Sequence, residues 1–140
     1  MDITEDTWKE LNRKAVEAMK NAYAPYSGYP VGAAALTEDG QWFSGCNVEN
    51  AAYSVVLCAE CGVISDVVRA GRSPIVAFGA VDGNGEPVVP CGRCRQLISE
   101  HLAPEALIAM PTGIMPIEEV MPYGFGQADL DKVATSTFQG

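Results

Sequence analysis

Apolar residues Trp8, Leu11, Ala15, Ala18, Met19 and Ala22 recur at three- and four-residue intervals, the period of an amphipathic helix. They predict a first helix over 4–22, with its apolar face and Trp8 in the core. Acidic Glu5 and Asp6 suit its positive N-terminal end, and the segment Pro25-Tyr26-Ser27-Gly28-Tyr29-Pro30 breaks it. A buried strand follows over 31–36. Glu38-Asp39-Gly40 is a turn, and 41–46 returns as the second strand of a hairpin. A polar loop over 47–54 leads to a helix over 58–70 that Gly71 stops. Next come a strand over 75–81, a turn at Gly83-Asn84-Gly85 and a helix over 92–102. A fourth strand covers 106–110, a short fifth is placed near Ile114, and short helical turns run from Pro116 onward. Gly32 and Ala33-Ala34-Ala35 are small and permit close approach of neighbouring elements.

Strands alternating with helices imply an α/β layered domain with a mixed sheet. The 140 residues carry no repeat, low-complexity tract or linker, so one domain over 1–140 is expected. The net charge of −9 opposes a nucleic-acid ligand, because affinity for phosphate backbones comes largely from Lys and Arg. A local basic patch of Arg69, Arg72, Arg93 and Arg95 could still stand within that total. No apolar run is long enough for a membrane span, and the acidic start Met1-Asp2-Ile3-Thr4-Glu5-Asp6 lacks the apolar centre of a signal peptide. Five cysteines and one histidine, His101, make a poor disulfide framework. A cytoplasmic protein whose cysteines are thiols or metal ligands is the reading.

Cys58-Ala59-Glu60 and Pro90-Cys91-Gly92-Arg93-Cys94 hold the informative chemistry. Each stands at a predicted helix start, where unpaired N–H groups and a partial positive charge favour thiolate, the form that binds metal. Cys91 and Cys94 share one helix face, and Cys58 meets them if the two helix starts pack together. Three thiolates around zinc leave the fourth tetrahedral position open to water, the pattern of a catalytic site. Glu60 is the carboxylate placed to move that water's protons. Zinc deaminases with cysteine ligands and a non-ligating glutamate are a known instance of this pattern.

The chain resembles the small zinc-dependent cytidine deaminases over nearly its whole length. The resemblance is carried by the segments 24–34, 45–53, 58–60 and 90–96 in that family's order and spacing. It implies a three-layer α-β-α fold with a mixed five-stranded sheet, and one Zn²⁺ per subunit held by Cys58, Cys91 and Cys94. Glu60 would be the proton shuttle, and Ala59 would line the substrate pocket. Asn47 and Glu49 would bond the ribose hydroxyls. Tyr29 would pack on the base, and Phe125 would reach a neighbouring subunit's pocket. The implied activity is hydrolytic deamination of cytidine and deoxycytidine in pyrimidine salvage, by a homotetramer with shared active sites. Its partner is a small nucleoside, with no nucleic acid and no membrane.

Other readings of the same residues stay open. Many members of that family have arginine after Cys-Ala-Glu, whereas this chain has Cys61. Zinc with three thiolates keeps one net negative charge, so balance falls to helix N-termini, to Arg93, or to Cys61 staying protonated. Cys61 also creates a second Cys-x-x-Cys pair, and two such pairs can close a four-cysteine structural site. The 29 residues between Cys61 and Cys91 exceed the common spacing of about 15–20. A non-catalytic zinc-stabilised binding module is then the different-class alternative. A deaminase for an analogue such as blasticidin S is the enzymatic one, and a nucleic-acid-editing deaminase is disfavoured by the acidic balance. Asn47 and Glu49 can instead organise a polar loop, and Tyr29 and Phe125 can be packing residues. Cys46 reads as a strand residue in the core, and His101 as a helix-end or solvent-facing side chain.

Overall fold

The structure, a computed structural model, describes residues 1–133. The remainder of the expected domain over 1–140 and of its tail lies outside the described residues. Helix α1 spans Glu5–Met19, where Thr4 caps its first turn by exchanging hydrogen bonds with Thr7. Leu11, Ala15 and Met19 are its buried face, one residue per turn as the periodicity requires. On its outer face Arg13 grips Glu10 and Glu17. The helix ends three residues earlier than predicted, because Asn21 and Ala22 turn back onto the carbonyls of Ala18 and Met19.

Five strands form one mixed sheet in the order β2-β1-β3-β4-β5. They are β1 (Gly32–Thr37), β2 (Trp42–Cys46), β3 (Ile75–Val81), β4 (Leu102–Met110) and β5 (Gly113–Pro116). Only β3 and β4 run parallel, and α3 (Gly92–Ser99) lies in the crossover between them, as parallel strands demand. Helix α2 (Ala59–Arg69) follows the hairpin, and the short α4 (Ile117–Val120) and α5 (Gln127–Asp131) follow β5. Strand β4 begins earlier than the apolar pattern suggested. Leu102 packs against the core, but exposed Pro104 and Glu105 interrupt the apolar pattern before Ala106. A single 3₁₀ turn, Tyr53–Val55, interrupts the polar loop.

The side chains of β1 alternate between two cores, which makes three layers. Ala33 and Ala35 face α2 and α3 with Val63, Val67, Phe78 and Ile98. Ala34 and Leu36 face α1 with Leu11, Ala15 and Met19. In β3 the alternation slips once. Val76 and Ala77 both turn toward α1, while Ile75 and Phe78 turn toward α2 and α3. The register with β4 shifts at the same place, the mark of a β-bulge. Among the described residues no helix is long and apolar enough to cross a membrane.

Glycines let the helices sit close to the sheet. A Cβ on Gly45 would stand 2.8 Å from the Ala59 carbonyl oxygen, so β2 accepts the first turn of α2 directly against its backbone. A Cβ on Gly32 would come 1.9 Å from the Ala15 carbonyl oxygen and 2.8 Å from Met19 Cβ. Gly32→Ala is therefore expected to cost about 3 kcal/mol or more, at or above the overpacking range of about 1–3. Urea unfolding measures it, and an unchanged midpoint would contradict this close packing.

Candidate active site

The two helices α2 and α3 begin side by side beyond one face of the sheet. Cys58 is the N-cap of α2 and Cys91 the N-cap of α3, each with extended backbone. Cys94 lies one turn into α3 and is fully buried. The sulfurs of Cys58, Cys91 and Cys94 all lie within 4.8 Å of one another, and Cys58 Sγ is 3.9 Å from Cys91 Sγ. A Zn–S bond of about 2.3 Å gives a tetrahedral edge of about 3.8 Å, so this pair already has the separation that zinc requires. All five cysteines are free thiols.

Electrostatics make the same case from the donor set. Burial, followed by the neighbouring Glu60, pushes the Cys94 thiol far up. Burial also raises Cys58, against the Cys94 thiol, which lowers it. Burial works to raise Cys91 as well, but the Cys94 N–H and the adjoining thiols outweigh it and bring Cys91 down. Three thiols packed this closely cannot all ionise alone, whereas a divalent cation reverses that balance.

Glu60 sits in the first turn of α2 and is 3% exposed. It lines a cavity of about 190 Å³ together with Cys58, Cys91, Ala59, Asn47 and Tyr29. Val31, Val56, Val88 and Val89 supply its apolar walls. Sequence reasoning missed these valines, which come from separate loops and have no pattern in common. A buried carboxylate beside a thiol cluster, facing an apolar slot, suits proton transfer to a small planar ligand.

Asn47 is buried and fixes the loop above this slot. Its Oδ1 accepts from the Val31 N–H at 2.9 Å and its Nδ2 donates to the Tyr29 carbonyl at 2.9 Å. One amide hydrogen and one lone pair remain uncommitted. Glu49 lies outside the slot, in an adjoining concavity of about 270 Å³ that shares Val56 with it. Its carboxylate accepts from the N–H groups of Tyr26 and Ser27 and from the Ser27 hydroxyl. Ser27, through hydroxyl and N–H, holds its pKa below the usual carboxylate range, against a smaller effect of burial. Both residues thus organise the loop, and each keeps bonding capacity to spare.

Cys61 is not part of the thiol cluster, which comprises three sulfurs among the described residues. Its sulfur instead accepts from Arg93 Nη2 at 3.2 Å. The four-cysteine arrangement is therefore not assembled. Arg95 is turned away, donating to the carbonyls of Pro90 and Val120 at 2.8 and 3.2 Å, and so ties the start of α3 to α4. Arg69 meets Asp66. Arg72 meets His101 Nδ1 and the Glu100 carbonyl, so each member of the expected basic patch has its own partner. His101 lies at the end of α3, where its N–H donates to the Ile98 carbonyl, and its ring accepts from Arg72 rather than facing only solvent. Cys46 is half-buried rather than a full core residue. Phe125 is 59% exposed and does not line the cavity of its own chain. It borders a larger concavity of about 680 Å³ with Tyr123, Pro122 and Glu100.

Residues 6–110 match the family described as the cytidine and deoxycytidylate deaminase zinc-binding region. A cytidine deaminase of Mycobacterium tuberculosis is 43% identical over 125 residues, covering 89% of this chain and 94% of the relative. One from Sporosarcina psychrophila is 37% identical, covering 90% and 96%. In three dimensions the chain is similar to the crystal structure of cytidine deaminase from Mycobacterium leprae. The TM-score is 0.79 at 48% identity, over 82% of this chain and 97% of that one.

The geometry separates a three-sulfur from a four-sulfur centre by mutation. Cys61→Ser is expected to retain one zinc per chain, and Cys94→Ser to lose it, as measured by elemental analysis after dialysis. Loss of zinc from the Cys61 variant would contradict the three-sulfur centre.

Proposed function

This chain belongs to the zinc-binding cytidine and deoxycytidylate deaminase family, and on that premise we propose that it hydrolyses cytidine and deoxycytidine to uridine and deoxyuridine, releasing ammonia. The observation that carries the reading is the buried Glu60 carboxylate facing the same slot as Cys58 and Cys91. Cys58, Cys91 and Cys94 would hold one zinc, whose Lewis acidity makes a water nucleophilic near neutral pH. Glu60 takes a proton from the attacking water and delivers it to N3 of the pyrimidine. Oxygen bonds to C4. Glu60 then removes the proton from that oxygen and gives it to the amino group, and the C4–N bond breaks as ammonia leaves. One carboxylate can serve in both directions because it is buried and lines the slot that takes the base.

The neighbouring concavities support the placement of the nucleoside. The slot at Glu60 takes the base, with Ala59 in its floor and Tyr29 against the ring. The sugar extends past Val56 toward Glu49, whose ionised carboxylate accepts from ribose hydroxyls, while Asn47 donates with its remaining amide hydrogen. Phe125, exposed here, serves a neighbouring subunit's pocket in a homotetramer with shared sites. The chain works as one domain over 1–140 in pyrimidine salvage. A cytoplasmic setting suits a centre that needs reduced thiols.

Zinc-loaded protein is expected to convert cytidine to uridine, followed by ultraviolet absorbance, and Glu60→Gln to lose about 10²–10⁴-fold or more of that rate. If zinc-loaded, folded parent leaves cytidine, deoxycytidine and blasticidin S all unchanged, the deaminase reading fails. Turnover by Glu60→Gln equal to the parent would overturn the role of Glu60.

A further inference from the structure

The proposed metal centre has more negative charge than zinc can offset. Three thiolates and the adjacent Glu60 carboxylate face two positive charges, which leaves two negative charges in a partly buried site. The two helix N-termini offset part of this through their N–H groups. They carry no whole charge.

Arg93 is the cation in position to supply the rest. It stands between Cys91 and Cys94 in the first turn of α3, and its guanidinium donates across to Cys61 on α2 at 3.2 Å. Cys61 lies one turn beyond Cys58, and its N–H donates to the Cys58 carbonyl. The contact therefore joins the first turns of the two helices that carry the ligands. Among the described residues Arg93 has no carboxylate within ion-pair distance, so its charge is not spent on another partner. Arg95, the next cation along the helix, is committed to two backbone carbonyls elsewhere.

We infer that Arg93 is the counter-ion of the metal centre, a positioning residue held by Cys61 where the first turns of α2 and α3 meet, and that it raises the centre's affinity for zinc. The inference rests on the three-thiolate reading above. A guanidinium is permanently charged, so this device keeps its charge across the pH range of the enzyme. It also gives Cys61 a role that is neither ligand nor core filler.

Competition with a chromogenic chelator at fixed pH and ionic strength measures zinc affinity directly, without turnover. Arg93→Gln keeps an N–H donor on a shorter side chain but removes its charge. It is expected to weaken zinc binding about 10–100-fold, the usual effect of groups that support metal ligands. Arg93→Lys is expected to stay nearer to the parent than to Arg93→Gln, and the thermal midpoint of the metal-free Arg93→Gln protein is expected to match that of the metal-free parent. Unchanged zinc affinity in Arg93→Gln would overturn the inference. Equal weakening in both variants, or a lowered metal-free midpoint in Arg93→Gln, would also overturn it, since a structural clasp rather than a charge would then be at work. A parent that binds no zinc would instead remove the three-thiolate reading on which the inference rests.

Discussion

Everything in the site follows from the meeting of two helix N-termini. Helices α2 and α3 start at Cys58 and Cys91, and their first turns point unpaired N–H groups toward a shared space. The Cys94 N–H favours the Cys91 thiolate there, and a divalent cation would do the same for the more buried Cys58 and Cys94. The sheet enforces this meeting. Gly45 in β2 lets the first turn of α2 rest on the strand backbone, and the parallel crossover from β3 to β4 returns α3 beside it. Buried Val63, Val67 and Ile98 then fix both helices to the same face of the sheet.

The arrangement concentrates negative charge where a neutral, planar substrate must enter. In the proposed reading a cation between the three thiols accompanies the buried Glu60, with the helix N-termini beside it and Arg93 against Cys61 on α2. The opposite design is visible at Glu49, where loop N–H groups and the Ser27 hydroxyl stabilise a lone carboxylate without metal. Two carboxylates close together in sequence thus have different work, set by what surrounds them. In the proposed reaction one moves protons in the slot, and the other offers acceptors at its edge.

Much of this was legible in the residues. The helical spacing of Leu11, Ala15 and Met19, the small residues of β1 and the cysteine spacing led to the three layers and to the thiol cluster. The ends of α1 and the start of β4 were not legible, because backbone turns and exposed edge residues leave no periodic mark. The partnership of Arg93 with Cys61 was equally hidden. Each residue stood out alone, but only the packing of α2 on α3 shows that they touch. The valines walling the slot come from loops far apart in sequence, and such convergence is a property of the fold rather than of any local pattern.

The central claim is an open metal centre with three sulfurs. X-ray absorption at the zinc edge of the loaded protein tests it most directly. The account predicts three sulfur neighbours at about 2.3 Å and one lighter atom. A shell of four sulfurs would contradict it, since Cys61 would then close the position at which the reaction takes place.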